Sequence, residues 1–240
     1  MRIIENKALE LQQLAKNNDV AMSMHAAYYI SLMSKDKGVR KRSKNRLLKA
    51  LRFAPLMGVK RIVFHAGGYS DHSPDEAYIL VRDALREVWE TAGREAGGAI
   101  LMPEIAGKIG AFGSVEELLR LCQELEGILP TIDWAHLYAR SQGKKNSRED
   151  YLRVLDAFED TLGKPFTNNL HFHVSGITYT SKGEKSHRPL GESWGPDIFP
   201  LAELVEEFGY KPTFISETPA PITGALYAKF LFEELRRSKT

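Results

Sequence analysis

The feature that most constrains the fold of this 240-residue chain is a regular alternation of short apolar runs with longer stretches of helical period. Parallel strands joined by crossover helices produce this pattern, so it predicts one α/β domain over residues 1–240. Six runs are interpreted as parallel strands: VAMSMHA (20–26), RIVFHAG (61–67), AILMPEI (99–105), PTIDWAH (130–136), LHFHVSG (170–176) and PTFISET (212–218).

Helical periodicity fills most of the sequence between these runs. Polar residues that favour helix starts precede several stretches, as at Ser73 and Ser114. The predicted helices cover residues 6–18, 40–57, 75–95, 114–126, 149–162, 200–208 and 222–237. Residues 177–200 mix charged side chains with glycine and proline, which predicts a long functional loop after a strand.

The composition limits the classes of protein to which the chain can belong. A formal net charge of only +2 requires any nucleic-acid contact to come from a local basic patch. The single Cys122 is interpreted as a small buried apolar residue, which predicts a reducing compartment. The sequence has neither a secretory signal pattern nor the roughly 20 consecutive apolar residues of a membrane span, so we expect a cytoplasmic protein with no membrane partner.

One local basic patch stands out in an otherwise balanced sequence. Residues 35–49 carry eight lysines and arginines against one acid, Asp36, and Arg52 follows shortly after. Such a patch is typical either of a nucleic-acid contact or of a solvated helix face, and both interpretations stay open at this point.

Each predicted strand ends with residues that can bind a metal ion. Parallel strands place their C-terminal ends on one face, where several imidazoles and carboxylates would repel or remain under-bonded without a cation. Nitrogen and oxygen ligands without thiolate fit Zn²⁺, Mn²⁺ or Fe²⁺ better than Mg²⁺ or Ca²⁺, and more than four ligands indicate more than one ion. The residues are His25, His65, Glu104, Asp133 with His136, His171 with His173, and Glu217, with His187 in the predicted loop.

Seven blocks of the sequence resemble, in order, the signature blocks of endonuclease IV-type apurinic/apyrimidinic endonucleases. These enzymes belong to the xylose isomerase-like TIM-barrel superfamily, so the resemblance implies a (β/α) barrel. It also implies a three-zinc site that cuts DNA 5′ to an abasic nucleotide, leaving a 3′-hydroxyl and a 5′-deoxyribose phosphate. The blocks are HAAYYISL (25–32), VFHAGG (63–68), PEIAGK (103–108), DWAH (133–136), LHFHVSG (170–176), HRPLGE (187–192) and SETP (216–219).

The resemblance also implies a role for each candidate ligand. It places one zinc on His25 and His65, with Glu104 bridging to a second ion. That second ion is completed by Asp133, His171 and Glu217, and a third uses His136 and His187. Glu104, Asp133 and Glu217 are the implied catalytic residues, and we expect two to three zinc ions with Mn²⁺ as the alternative.

The resemblance further implies contacts with DNA that contains abasic sites. Tyr28 falls where the family has an aromatic side chain near the abasic gap, although packing beside the barrel mouth is an alternative role. We expect Lys185 and Arg188 to contact DNA as well.

The sequence departs from the family at Lys185, where the family has an aspartate two positions before the histidine that corresponds to His187. A lysine is a poor metal ligand unless deprotonated, so the third zinc loses an expected anion. Either Glu184 reaches in instead, or Lys185 contacts a phosphate directly.

A second departure concerns the N-terminal side of the barrel. The family barrel has eight strands, and the two that should precede residues 20–26 are missing from this sequence. We therefore expect a barrel that is incomplete at its N-terminus, with open sheet edges, and a natural start further upstream. A complete barrel is expected to be monomeric.

Two other functions remain open. A sugar isomerase or epimerase of the same superfamily would use Glu104, Asp133, His171 and Glu217 for a single ion, but the remaining histidines would then have no role. The other alternative is an inactive nucleic-acid-binding protein that keeps the shape of the barrel.

Overall fold

The computed structural model describes residues 5–191 and 193–238, except for the side chain of Ser238. The helices are α1 (Glu5–Asn17), α2 (Lys37–Met57), α3 (Pro74–Ala92), α4 (Val115–Glu124), α5 (Trp134–Arg140), α6 (Arg148–Leu162), α7 (Lys164–Thr167), α8 (Phe199–Phe208) and α9 (Pro221–Ser238). The strands are β1 (Met22–His25), β2 (Val59–Phe64), β3 (Ile100–Pro103), β4 (Ile132–Asp133), β5 (His171–Val174), β6 (Gly176–Thr180), β7 (Gly183–Arg188) and β8 (Thr213–Ser216).

The described chain divides into two compact units. Unit 1 comprises the described residues up to Glu104 together with Arg120–Leu129, and unit 2 comprises Ile105–Leu119 and the described residues from Pro130 onwards. Each unit contains one three-stranded parallel sheet. The interpretation of the whole chain as one domain stays a prediction.

The sheet of unit 1 has the order β1–β2–β3. His25 is in register with Val63, and Phe64 is in register with Pro103, so the three strands end close to the same level. Val63 and Phe64 are both buried, as expected for a strand covered on both faces. Helices α2 and α3 pack on each other in this unit.

The parallel sheet of unit 2 has the order β4–β5–β8, and an antiparallel hairpin of β6 and β7 accompanies it. All four residues of β5 are buried. Trp134 packs edge-on against Tyr151 and Phe172, with ring centroids 4.9 and 5.5 Å away, and anchors α5 and α6 on the sheet.

The six predicted parallel strands are confirmed, but two predictions for unit 2 are wrong in detail. Residues 176–188, predicted as a strand end followed by a loop, form the β6–β7 hairpin. The strand predicted over residues 130–136 ends at Asp133, because its carboxylate accepts a hydrogen bond from the backbone of His136 and begins α5 there. His136 therefore lies in the first turn of a helix and not at a strand end.

Helix starts follow the capping signals of the sequence. Ser73 and Glu76 form a reciprocal capping box at the start of α3, and Ser147 and Asp150 form another at the start of α6. Among the described helices, none combines the length and the apolar composition that crossing a lipid bilayer requires.

Candidate metal centres

The first candidate metal centre lies in unit 1, where three parallel strands end. His25 is the last residue of β1, His65 directly follows β2, and Glu104 directly follows β3. Each residue offers a ligand atom that lies within 4.8 Å of the other two, and we call these three residues the His25 group. The parallel register brings them together, as the sequence pattern predicts for strand ends.

Both imidazoles of the His25 group face one buried carboxylate oxygen. Oε2 of Glu104 lies 3.2 Å from Nε2 of His25 and 3.1 Å from Nε2 of His65. Nδ1 of His25 lies 2.9 Å from the carbonyl oxygen of Ala26, which only accepts, so this nitrogen carries the hydrogen. The Nε2 lone pair of a neutral His25 then faces a carboxylate oxygen, and a cation or a proton between them is required.

A second candidate centre lies in unit 2 and joins a helix, the hairpin and a strand end. His136 is in α5, His187 is in β7, and Glu217 directly follows β8. Their ligand atoms also lie within 4.8 Å of one another, and we call these residues the His136 group.

Backbone carbonyls fix both imidazoles of the His136 group. Nδ1 of His136 donates to the carbonyl of Ile105 at 3.0 Å, and Nδ1 of His187 donates to the carbonyl of Glu217 at 2.8 Å. The two Nε2 atoms therefore carry the lone pairs, and they face each other at 3.2 Å. Two ligands of one tetrahedral zinc ion lie about 3.3 Å apart, so this spacing fits a shared metal ion.

A third set of ligand atoms in unit 2 shares Glu217 with the His136 group. Asp133, His173 and Glu217 offer atoms within 4.8 Å of one another, and we call them the His173 group. Nδ1 of His173 lies 3.1 Å from Oε1 of Glu217. Asp133 and His173 are direct partners in the β4–β5 register, which places both at the C-terminal end of the sheet.

The structure places His173 beside the carboxylates of unit 2. The resemblance implies His171 as the ligand, but none of the candidate metal groups found among the described residues includes it. Side chains two positions apart on a strand point to the same face, and His171 lies about 6.6 Å further from the C-terminal end. Its register partner is Thr213, whereas His173 pairs with Ile215, near the end of β8. His173 is therefore a candidate ligand, and the role of His171 stays a prediction.

Two of the residues expected to contact DNA lie on the hairpin. Lys185 is exposed, and Arg188 is half-buried with its guanidinium 4.8 Å from the ring centroid of Trp194. Glu184 is the residue that the sequence offers in place of the family's aspartate at the position of Lys185. Its Oε2 lies 3.6 Å from Nε2 of His136.

Glu192, the last residue of the block at 187–192, lies outside the described residues.

Tyr28 is exposed over 73% of its surface, which argues against the alternative that it is a packing residue. Its ring meets that of Tyr29, which is also exposed, edge to face at 5.6 Å. Both rings follow His25 closely in the chain and offer flat apolar surfaces to a partner.

The basic patch lies mainly on helix α2. Three of its side chains, Arg42, Arg46 and Lys49, line a cavity of about 410 Å³ that His25 also lines. The sequence analysis did not predict this cavity. The spacing of basic residues along a helix shows which of them share a face, but not whether a cavity lies between that face and a neighbouring strand. The position of Arg42, Arg46 and Lys49 next to a candidate ligand favours a contact with an anion over a purely solvated face.

Parallel α/β units with imidazole and carboxylate side chains at their strand ends are typical of α/β enzymes with sites that can hold metal ions. The model of the xylose isomerase-like TIM barrel family matches residues 1–236, and the chain belongs to that family. The six parallel strands of the described chain are consistent with this fold, although they do not form one closed sheet.

The chain is similar in sequence to two further proteins. It is 33% identical to an uncharacterized protein of Methanocaldococcus jannaschii over 215 residues, which are 90% of this chain and 77% of the relative. It is 25% identical to the probable endonuclease 4 of Persephonella marina over 219 residues, covering 90% of this chain and 75% of that protein.

Solved structures share the fold at lower sequence identity. A D-tagatose 3-epimerase-like protein superposes with a TM-score of 0.76 at 18% identity, covering 98% of this chain and 85% of the other. Endonuclease IV from Thermus thermophilus gives a TM-score of 0.72 at 19% identity, covering 99% and 84%. The fold is thus shared by nucleases and sugar epimerases, and the site has to distinguish them.

Proposed function

We infer that this protein is a zinc-dependent endonuclease that hydrolyses the phosphodiester 5′ to abasic sites in DNA. The observation that carries this proposal is the pair of Nε2 atoms of His136 and His187, which face each other at 3.2 Å while both Nδ1 atoms are held by carbonyls. His25 and His65 also converge, with both Nε2 atoms facing one oxygen of Glu104. These four imidazoles exceed what a single-metal enzyme needs.

The chain's own residues suit a cluster of divalent ions. The His25 group would hold one ion, and Glu217 would serve the ions of both unit 2 groups, because its carboxylate belongs to each. Glu104, Asp133 and Glu217 remain the proposed catalytic residues, and the bridging role of Glu104 stays a prediction. When bound, zinc would polarise the phosphodiester and lower the pKa of an attacking water. Mn²⁺ is the alternative ion.

Several side chains would position an anionic strand. The carbonyls of Ala26, Ile105 and Glu217 fix the imidazoles, so the ligands need little rearrangement. The exposed ring of Tyr28 would fill or flank the gap of an abasic nucleotide. Lys185 and Arg188, together with the basic patch on α2, would contact phosphates. The cytoplasmic location and the monomeric state stay predictions.

The similarity to the probable endonuclease 4 of Persephonella marina supports the nuclease at the level of the family. The second candidate is a sugar epimerase, and the observation that favours it is the His173 group, whose two carboxylates and one imidazole are sufficient for one ion. The four further histidines would then have no catalytic role.

The test is incision of a duplex that contains one abasic site, with an intact duplex as the substrate control and a chelator as the metal control. We expect chelator-sensitive cleavage of the abasic strand only, with a 3′-hydroxyl product, and two to three zinc ions per chain. Epimerised ketohexoses with a single Mn²⁺ per chain would instead favour the epimerase. Tight binding of abasic DNA without incision would favour the inactive nucleic-acid-binding protein.

A further inference from the structure

The hairpin of β6 and β7 contains a shift in register next to the His136 group. Ile177 pairs with His187 and Thr178 pairs with Ser186, but Tyr179 pairs with Glu184. The register therefore passes over Lys185, which is the extra residue of a β-bulge.

The bulge changes which side chains of β7 share a face. Without it, strict alternation would put Lys185, two positions before His187, on the same face as that histidine. With it, the partners of His187 and Glu184 are Ile177 and Tyr179, which lie two residues apart on β6 and so on one face. A shift of one residue exchanges the faces, so Glu184 takes the side of His187 and Lys185 turns to solvent.

The surroundings of the two side chains agree with this exchange. Lys185 is exposed, whereas the Glu184 side chain is 24% exposed, and its Oε2 lies 3.6 Å from Nε2 of His136. That distance is close to the separation of about 3.3 Å between two ligands of one tetrahedral zinc ion, although the His136 group itself does not include Glu184.

The loop before α4 makes room for this carboxylate. A Cβ atom at Gly107 would lie 2.7 Å from Cβ and 2.9 Å from Oε2 of Glu184, and 2.9 Å from Cδ2 of His136, so only glycine fits there without displacing them. The backbone N–H of Glu184 donates to the carbonyl of Gly107 at 3.0 Å, and that of Ile109 donates to the carbonyl of Lys182 at 3.1 Å. These bonds hold the start of β7 beside the His136 group.

We propose that Glu184 is a ligand of the ion held by His136 and His187, and that the bulge at Lys185 places the Glu184 side chain on the same face of β7 as His187. The carboxylate replaces the anion that the family pattern has at the position of Lys185. This inference rests on the metal site of the proposed function and adds to it a ligand from a different sequence position.

The test compares the zinc affinity of Glu184→Gln with that of Lys185→Gln, its neighbour on the same strand. Each protein is loaded with Zn²⁺, its metal content per chain is measured, and the affinities are obtained by competition with a chromophoric chelator. We expect Glu184→Gln to weaken one zinc site at least about tenfold and Lys185→Gln to leave all sites unchanged. With Co²⁺ in place of zinc, only Glu184→Gln should alter the visible absorption spectrum.

Two further variants separate a ligand from a merely structural residue. Adding Lys185→Asp to Glu184→Gln should not restore zinc binding, because position 185 faces solvent. Gly107→Ala should weaken the same zinc site, because its methyl group displaces Glu184 and His136. Thermal unfolding of the metal-free proteins establishes that each variant folds.

The outcomes distinguish this inference from the proposed function. Unchanged zinc affinity and cobalt spectrum in Glu184→Gln, or rescue by Lys185→Asp, would overturn the role of Glu184 even if abasic DNA is cut. A wild-type protein that binds zinc through Glu184 but leaves abasic DNA intact would overturn only the endonuclease. A wild-type protein that takes up no zinc would overturn both.

Discussion

The His25 group of unit 1 and the His136 group of unit 2 use similar side chains in different surroundings. In the His25 group the imidazole side chains are 35% and 29% exposed, and all three ligands stand at or directly after strand ends. In the His136 group the His136 side chain is 3% exposed and those of His187 and Glu217 are each 24% exposed, and the ligands come from a helix, a hairpin and a strand end. Both imidazoles of the His25 group are thus partly exposed, whereas one imidazole of the His136 group is almost fully buried.

This difference predicts different metal exchange in the two groups. An ion held by two partly exposed imidazoles is accessible to a chelator, whereas one held in part by a buried imidazole should exchange more slowly, because release of that ligand needs local opening.

Glu217→Gln should have the largest effect, because this carboxylate belongs to both metal groups of unit 2. We expect the loss of up to two zinc ions per chain and a fall in abasic-site incision of at least about a hundredfold. Metal analysis and single-turnover kinetics measure the two changes. If the variant kept its full zinc content, the shared role of Glu217 would be wrong.

His25→Asn should remove only the most labile ion. When wild-type protein is mixed with excess chelator, we expect zinc release in a fast and a slow phase, and the variant should lack the fast one. His136→Asn is the matched variant and should remove zinc from the slow phase. Equal rates for all ions, or loss of the slow phase in His25→Asn, would contradict the contrast in exposure.

His173→Asn and His171→Asn test which of the two histidines on β5 is the metal ligand. Both side chains are buried, so either substitution is expected to lower the free energy of unfolding, by about 1–3 kcal/mol. Only His173→Asn should also lower the zinc content, since His173 belongs to a metal group together with Asp133 and Glu217. Zinc loss in His171→Asn alone would instead support the ligand that the sequence predicts.

The smallest expected effect is that of removing a helix-capping serine on the free energy of unfolding and on its dependence on pH. The backbone N–H of Ser147 lowers the pKa of Asp150 to about 2, and the Ser147 hydroxyl and Arg153 contribute to the same shift. Because this pKa is depressed in the folded state, the stabilisation is present above the unfolded value of about 4 and is lost as the pH falls towards 2. Ser147→Ala should cost about 1 kcal/mol at neutral pH.

The control for this prediction is the capping box of unit 1. There the backbone and hydroxyl of Ser73 lower the pKa of Glu76, so Ser73→Ala should have a similar effect on stability. Chemical denaturation between pH 2 and 7 measures both variants. A stability loss in Ser147→Ala that grows as the pH falls would be opposite in sign to the one expected from a depressed carboxyl pKa.

The comparison of the two units also explains how much the sequence could predict. In unit 1 the order of strands and the end of each apolar run are sufficient to bring His25, His65 and Glu104 together. In unit 2 the run LHFHVSG predicts a strand, but strand periodicity places His171 and His173 on the same face. Their distance from the end of the sheet depends on the register with β4 and β8, which is a long-range property.

The hairpin shows a second limit of sequence reasoning. Counting back from His187 assigns the missing ligand to Lys185, because a regular strand repeats every two residues. A bulge inserts one extra residue into the strand, and the sequence GEKSHR does not indicate at which residue the bulge lies. The space at Gly107 and the backbone hydrogen bonds from residues 107–109 adjoin the start of β7, and they come from a distant part of the chain.

Main-chain atoms set the orientation of His25, His136 and His187 through the carbonyls of Ala26, Ile105 and Glu217. A carbonyl is present whatever side chain its residue carries, so replacing the residue leaves the acceptor in place as long as the backbone path is kept. The tautomer of each ring is thus inherited from the fold. Side chains beside such rings can therefore change without altering the tautomer, as long as the backbone path is kept.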